Sequence, residues 1–202
     1  MKQFYQKYGK RFFDIILAIP LLIILSPFML IIALLIKSSS PGKIFFVQDR
    51  IGKNGCVFAM YKFRTMLDKP RISTKEVFPD DLELIKIGKL LRRFKLDELP
   101  QLLNIIKGDI SFVGPRPLLP SHFHKYNDLY KSRFEALPGL TGLAQINGNI
   151  YLTREKRIEY DLLYINGISF FLDVTTIFKT IYLMFVGEKK LINKNNNGYN
   201  KS

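Results

Sequence analysis

The stretch Leu96-Asp97-Glu98-Leu99-Pro100-Gln101 sets two adjacent carboxylates at the entrance to an apolar segment. Lys89, Arg92, Arg93 and Lys95 stand before it, and Gly114-Pro115-Arg116-Pro117 follows. Residue types so arranged suit phosphate chemistry. A carboxylate at a helix N-terminus can hold Mg²⁺ through oxygen, and the cation can bridge to a pyrophosphate. An aspartate can instead attack phosphorus directly, giving an acyl phosphate whose spreading charge nearby arginines stabilise. Arg64, Arg92 and Arg116 are candidates for that grip, because a guanidinium binds phosphate oxygens in pairs. A plainer reading stands beside this one. Asp97 could merely cap a helix, with Pro100 in its first turn and the acidic side chains complementing the dipole. Arg92 and Arg93 would then be a solvated face.

The remainder of the chain must position these groups. At 202 residues it is long enough for one domain plus an accessory element. Its net charge of +14 calls for an anionic partner: nucleic acid, an acidic membrane surface or a phosphorylated small molecule. The cations are spread along the chain and interleaved with membrane-seeking segments, which favours anionic lipid over nucleic acid. Cys56 is the single cysteine, so there is no internal disulfide framework, as fits the cytosolic side of a membrane. His122 and His124 alternate with no third His or Cys nearby, which argues for a surface or strand pair and against a zinc site.

From Ile15 to Ile36 every residue is uncharged, and only Pro20, Ser26 and Pro27 interrupt the aliphatic run. As a straight helix at ~1.5 Å per residue this run would reach roughly across a bilayer core. Ser26-Pro27 at its middle weakens the helix there. Cations flank both ends (Lys2, Lys7, Lys10 and Arg11 before; Lys37 and Lys43 after), so charge sets no polarity. A helix broken at Ser26-Pro27 that dips into one leaflet and returns would fit, with the Ser26 hydroxyl serving a freed carbonyl. A kinked spanning helix fits as well. The residues alone leave both open. A cleaved signal peptide does not fit, because the run is long and no small-x-small cleavage pattern follows it.

Beyond a linker at Ser38–Gly42, the runs 43–48 and 57–63 around Gly52-Lys53-Asn54-Gly55 predict a β-hairpin. Residues 68–80 read as an exposed loop. Leu82, Ile85, Leu90, Leu91 and Phe94 mark one helical segment. Leu99, Leu102, Leu103 and Ile106 mark a second, ended by Gly108-Asp109. A helix is expected over 123–134, a turn at Pro138–Gly142, and a helix over 153–165 capped by Thr153. The apolar stretch 168–186 carries Asp173 and Lys179, so it suits a helix lying along the interface better than one crossing it. The tail reads as flexible.

The order of Tyr61-Lys62-Phe63-Arg64-Thr65-Met66, then Arg92 through Gln101, then Gly108–Pro117, then Pro138–Gly148 resembles the bacterial sugar transferases. These are the monotopic polyprenol-phosphate phosphoglycosyl transferases. The likeness runs from about Arg11 to about Asp173, and the chain is close in size to the minimal members, of the bacillosamine-phosphate transferase type. The likeness implies a chain without the extra N-terminal transmembrane domain of larger relatives.

The resemblance implies an α+β, mostly helical chain in three parts. Residues 1–37 would form a re-entrant (helix-break-helix) membrane element and its flank. Residues 38–187 would form a small cytosolic α/β catalytic domain with interfacial amphipathic helices, and 188–202 the tail. It further implies transfer of a sugar-1-phosphate from a UDP-sugar to undecaprenyl phosphate, with Mg²⁺ and release of UMP, at the cytosolic face of the bacterial inner membrane. Asp97 would match the nucleophile and a metal ligand, and Glu98 the residue that handles protons or activates the acceptor. Lys62, Arg64, Arg92, Arg116 and Asp161 are candidates for substrate binding or site architecture, and Ser26-Pro27 for the membrane break. Downstream glycosyltransferases and a second copy of the chain are candidate partners. Two positions depart from the family pattern: Leu143 stands where many relatives have Trp, and Asn149 where an arginine is usual. Two readings of other classes compete, a catalytically silent scaffold recruiting glycosyltransferases and a nucleic-acid binder. The first predicts no UMP from any UDP-sugar, and the second predicts salt-sensitive binding to DNA.

Overall fold

The computed structural model describes residues 4–67, 83–123 and 131–186. The loop expected over 68–80, Leu82, His124, the middle of the helix expected over 123–134 and the tail lie outside the described residues.

A π-helical turn, Tyr5–Gly9, leads into the long helix α1, Lys10–Ser39. Leu, Ile and Ala dominate α1, and one stripe of it turns inward. Asp14, Ala18, Leu22, Leu25, Met29, Ile32 and Ile36, spaced three or four apart, are buried or pack on the two core clusters. Ile16, Ile23, Ile24, Leu30, Ile31 and Leu34 lie exposed on the other sides. Helix runs unbroken through Pro20 and Pro27, so the expected interruption at Ser26-Pro27 is not a gap in the helix. The reason is local. Pro27 lacks the N–H that would meet the Ile23 carbonyl, and the Ser26 hydroxyl donates to that carbonyl at 2.8 Å instead.

Both ends of α1 are fastened to the same body. Near its start, Arg11 donates to the carbonyls of Ile105 and Ile106, while the Ser111 hydroxyl and the Phe112 N–H donate to Asp14. Near its finish, Arg64 donates to the carbonyls of Ser40 and Pro41 at 2.9 and 2.6 Å.

The hairpin forms as expected. Strands β1 (Phe45–Ile51) and β2 (Val57–Phe63) pair antiparallel, with Asn54 and Gly55 at positive φ in the turn. Next come α2 (Gly88–Arg93) and α3 (Gln101–Lys107), which ends where Gly108 adopts φ 93°. Asn104 on α3 ties it to the hairpin: its side chain accepts from Tyr61 N–H at 3.1 Å and donates to the Ala59 carbonyl at 2.8 Å.

Pro138–Gly142 is not the expected turn. Gly139–Thr141 forms a strand, β4, parallel to β3 (Ser111–Val113), with the short helix α4 (Pro120–Phe123, which includes His122) in between. Glycine makes this pairing possible, because a Cβ on Gly139 would sit 2.1 Å from the Gly114 nitrogen, and one on Gly142 2.1 Å from the Gly114 carbonyl oxygen. Backbone cannot yield as a side chain tip can. Gly139→Ala is therefore expected to destabilise the protein by roughly 2–4 kcal/mol, read as a lowered unfolding midpoint. An unchanged midpoint would contradict the close approach.

After α5 (Leu143–Ile146), Thr153 caps α6 (Arg154–Gly167) by accepting from the Lys156 N–H at 3.2 Å. The last helix is α7, Phe170–Val186. Phe171, Phe178, Tyr182 and Phe185 lie exposed along one side of it. Asp173 does not face an interface. It is fully buried against Tyr5, Lys10 and Tyr164. Among the described residues the chain is mostly helical, with two small sheets and one apolar N-terminal helix long enough to cross or enter a membrane.

Candidate active site

Asp97 and Glu98 sit in a single 3₁₀ turn, Leu96–Glu98, between α2 and α3. Lys95 at φ 54° makes the sharp exit from α2, and Leu96 and Leu99 anchor the turn against the cluster of Ile36, Phe63 and Leu91. Lys95 and Pro100 occupy the capping positions of the turn and of α3, so Asp97 caps neither. Asp97 is nonetheless buried, at 8 % exposure. A buried carboxylate that caps no helix is a candidate for chemistry.

Strand β2 delivers Lys62, whose ammonium donates to Glu98 Oε1 at 2.5 Å. Burial and the neighbouring Glu98 charge push the Asp97 carboxyl well above the ordinary carboxylate range, outweighing the attraction of Lys62 and Arg92. For Glu98 burial acts in the same upward direction, but Lys62 and Arg116 win and hold its carboxyl low. Two adjacent acids thus carry opposite shifts, as a site with divided roles requires.

Arg92 reaches the site from α2 and donates through Nε to the Thr65 hydroxyl at 2.9 Å. Gly88 allows this seating, since a Cβ there would lie 2.2 Å from the Thr65 carbonyl oxygen. Arg116 is exposed on the loop after β3, within electrostatic reach of Glu98.

Lys62, Arg92 and Arg116 therefore gather around the acidic pair. Arg64 is placed differently: it is buried, and its guanidinium is spent on Ser40 and Pro41 at the end of α1. Asp161 on α6 is buried too and pairs with Arg133 at 2.6 Å. Burial pushes its carboxyl up to about 6 against the pull of Arg133. Ser26 and Pro27 lie at mid-length of α1, on its exposed side. Asn149, the departure from the family arginine, takes φ 50°, a conformation asparagine tolerates better than most residues. Leu143 packs on the core as an aliphatic filler.

Two arginines beside the site were not singled out from sequence. Arg50 donates to Gln48 Oε1 at 2.6 Å and to the Pro117 carbonyl at 3.3 Å. Arg133 donates to the Arg116 carbonyl at 3.0 Å. The period-two alternation of β1 puts Gln48 and Arg50 on one face, which is the cue for the first. For Arg133 there is no comparable cue.

Among the described residues no three His, Cys, Asp or Glu side chains converge as a ready-made metal cage. With Glu98 taken by Lys62, Asp97 is the carboxylate left to a cation. That donor set fits Mg²⁺, which commonly uses one or two carboxylates and completes its shell with substrate phosphates and water.

The chain is similar to known proteins over most of its length. The model of the family described as "Bacterial sugar transferase" matches residues 5–187. The "Uncharacterized sugar transferase EpsL" of Bacillus subtilis (strain 168) is 43% identical over 179 residues, covering 89% of this chain and 88% of that protein. The "UDP-glucose:undecaprenyl-phosphate glucose-1-phosphate transferase" of Klebsiella pneumoniae is 43% identical over 192 residues, covering 89% of this chain but 40% of that protein. The "UDP-N-acetylgalactosamine-undecaprenyl-phosphate N-acetylgalactosaminephosphotransferase" of Aeromonas hydrophila is 37% identical over 185 residues, covering 88% and 44%. The chain thus spans less than half the length of the two relatives whose sugars are named. The family match over residues 5–187 and these identities over most of the chain show that it belongs to the bacterial sugar transferase family.

Proposed function

We propose that this chain moves a sugar-1-phosphate from a UDP-sugar to undecaprenyl phosphate at a membrane surface, releasing UMP, with Asp97 as nucleophile. The observation that carries the proposal is Asp97 itself: buried, capping no helix, and set among Lys62, Arg92 and Glu98. In the first half-reaction an Asp97 oxygen attacks the phosphorus next to the sugar. An Asp97–phosphorus bond forms, the bond to the bridging oxygen breaks, and UMP leaves carrying that oxygen. In the second, a phosphate oxygen of undecaprenyl phosphate attacks the same phosphorus and frees Asp97.

Arg92, Lys62 and Arg116 supply positive charge where it accumulates on the transferring group. Glu98, held ionised, is a weak base, so its low pKa suits fixing Lys62 more than accepting a proton. Asp97 would be the residue to hold Mg²⁺, which would supply charge neutralisation for the donor pyrophosphate.

Three observations support entry of α1 into one leaflet and return to the same side. Both of its ends are bonded to one body. Pro20 and Pro27 lie on the exposed side, so the bend that prolines impose closes toward that body. Ser26 satisfies the carbonyl that Pro27 frees. The exposed aromatic row of α7 would lie in the same interface.

The test is UMP release by the full chain in detergent or nanodiscs, across a panel of UDP-sugars with undecaprenyl phosphate and Mg²⁺. Release with one or a few donors is expected. None with any donor would instead favour the silent scaffold.

A further inference from the structure

Four successive carbonyls of the loop that carries Arg116, those of residues 115–118, each accept a hydrogen bond. The Pro115 carbonyl accepts from the Gly139 N–H at 2.9 Å, and the Leu118 carbonyl from the Ile51 N–H at 2.8 Å. Between them, the Arg116 carbonyl accepts from Arg133 Nη2 at 3.0 Å and the Pro117 carbonyl from Arg50 Nη1 at 3.3 Å. Each of these arginines is itself oriented by a second partner, Asp161 Oδ2 at 2.6 Å for Arg133 and Gln48 Oε1 at 2.6 Å for Arg50. Two prolines flank Arg116 and restrict its backbone further.

We propose that Arg50 and Arg133 are positioning residues which clamp the backbone of Arg116-Pro117 from two sides and so fix where the Arg116 guanidinium meets the donor phosphate. The proposal rests on the reading of Arg116 as a phosphate-binding group. Secondary structure does not supply this grip, since the loop lies beyond β3 and only its outer carbonyls find backbone partners. Devoting two arginines to two carbonyls is costly in charge. Burial and the nearby Arg116 push the Arg50 guanidinium down to about 10, which Glu98 partly offsets. Such crowding of like charge is tolerable where an anion is the intended ligand. The clamp also accounts for Asp161, which neutralises and aims Arg133 without touching substrate.

The experiment is a double-mutant cycle on the full chain, read by donor kcat/KM and by hydrogen exchange over residues 111–119. Arg50→Lys and Arg133→Lys keep the charge and, for residue 133, the partner Asp161, but lose the guanidinium N–H that reaches the loop carbonyl. Each is expected to lower kcat/KM about 10- to 100-fold with the unfolding midpoint retained. In an Arg116→Ala background the same changes should cost less than about twofold, because their target is gone. Loop exchange should quicken about tenfold in both single variants while exchange elsewhere stays unchanged. Losses that simply add to that of Arg116→Ala, or loop exchange at the wild-type rate, would overturn the clamp. Should Arg133→Lys fail to fold, the half-buried Arg50 carries the cycle alone. If the wild-type chain turns over no UDP-sugar, the proposed function fails, while loop exchange still decides whether the clamp exists.

Discussion

Asp97→Asn is expected to lower UMP release by roughly 10⁴-fold or more, the usual consequence of removing a nucleophile. Folding should survive. The two side chains have the same shape, Asp97 caps no helix, and loss of its charge relieves repulsion from Glu98. Stability should therefore hold or rise slightly while activity vanishes, a combination that a helix cap could not give, since losing a cap costs about 1 kcal/mol and leaves chemistry intact. The same position sets a pH dependence. Attack needs the carboxylate form, and burial together with Glu98 raises the pH at which that form is reached. Donor turnover should fall on acidification before the ordinary carboxylate range is entered. Initial rates of UMP release across pH, with a folding check at each point, measure this acid limb.

The second large effect is structural. Asp173 Oδ2 accepts from the Tyr5 hydroxyl and from Lys10 Nζ, both at 2.7 Å, and Oδ1 lies 2.8 Å from the Tyr164 hydroxyl. Those partners come from the lead-in to α1, from α1 itself and from α6, so one carboxylate joins α1 to the carboxyl-terminal pair of helices. The Lys10 and Asp173 side chains are only 10% and 1% exposed, and removing one member of such a pair leaves the other charge stranded. Asp173→Leu is expected to cost roughly 3–5 kcal/mol, against less than about 1 kcal/mol for a surface ion pair. Lys10→Met should cost a similar amount. The double variant should be milder than the sum of the two, because neither member of the Lys10–Asp173 pair is left stranded, although Asp14 still loses the attraction of Lys10. Unfolding midpoints of the four proteins in one detergent decide it, and additive, surface-sized losses would contradict the junction.

What could be read from the chain follows the strength of local signals. The hairpin at 52–55, the Thr153 cap and the Gly108 stop are short-range chemistry, and each is found in place. Periodicity finds α3 but not the whole of its inward face. Leu99, Leu102 and Ile106 of the stripe pack on the core, whereas Leu103 is 40% exposed and Gln101, Asn104 and Ile105 are buried. Asn104 turns inward to bond β2, and a polar residue at the core is invisible to a count of apolar ones.

Pro138–Gly142 has the composition of a turn and the structure of a strand, because its glycines serve backbone contact with Gly114. At the site, the gathering of Asp97, Glu98, Lys62, Arg92 and Arg116 matches the motifs that named them. Arg64 shares their residue type yet secures the end of α1, and Arg133 acts from a segment with no pattern of its own. Sequence marks which residues bear charge. Only the fold tells which charge is free for substrate and which is spent on carbonyls.

The most direct measurement is intact-protein mass spectrometry after incubation with UDP-sugar and Mg²⁺ but no acceptor. The wild-type chain should gain the mass of one sugar phosphate, mapped to the peptide bearing Asp97. The adduct should disappear on addition of undecaprenyl phosphate and never form in Asp97→Asn. UMP release that requires the acceptor, with no adduct at any time, would contradict Asp97 as nucleophile.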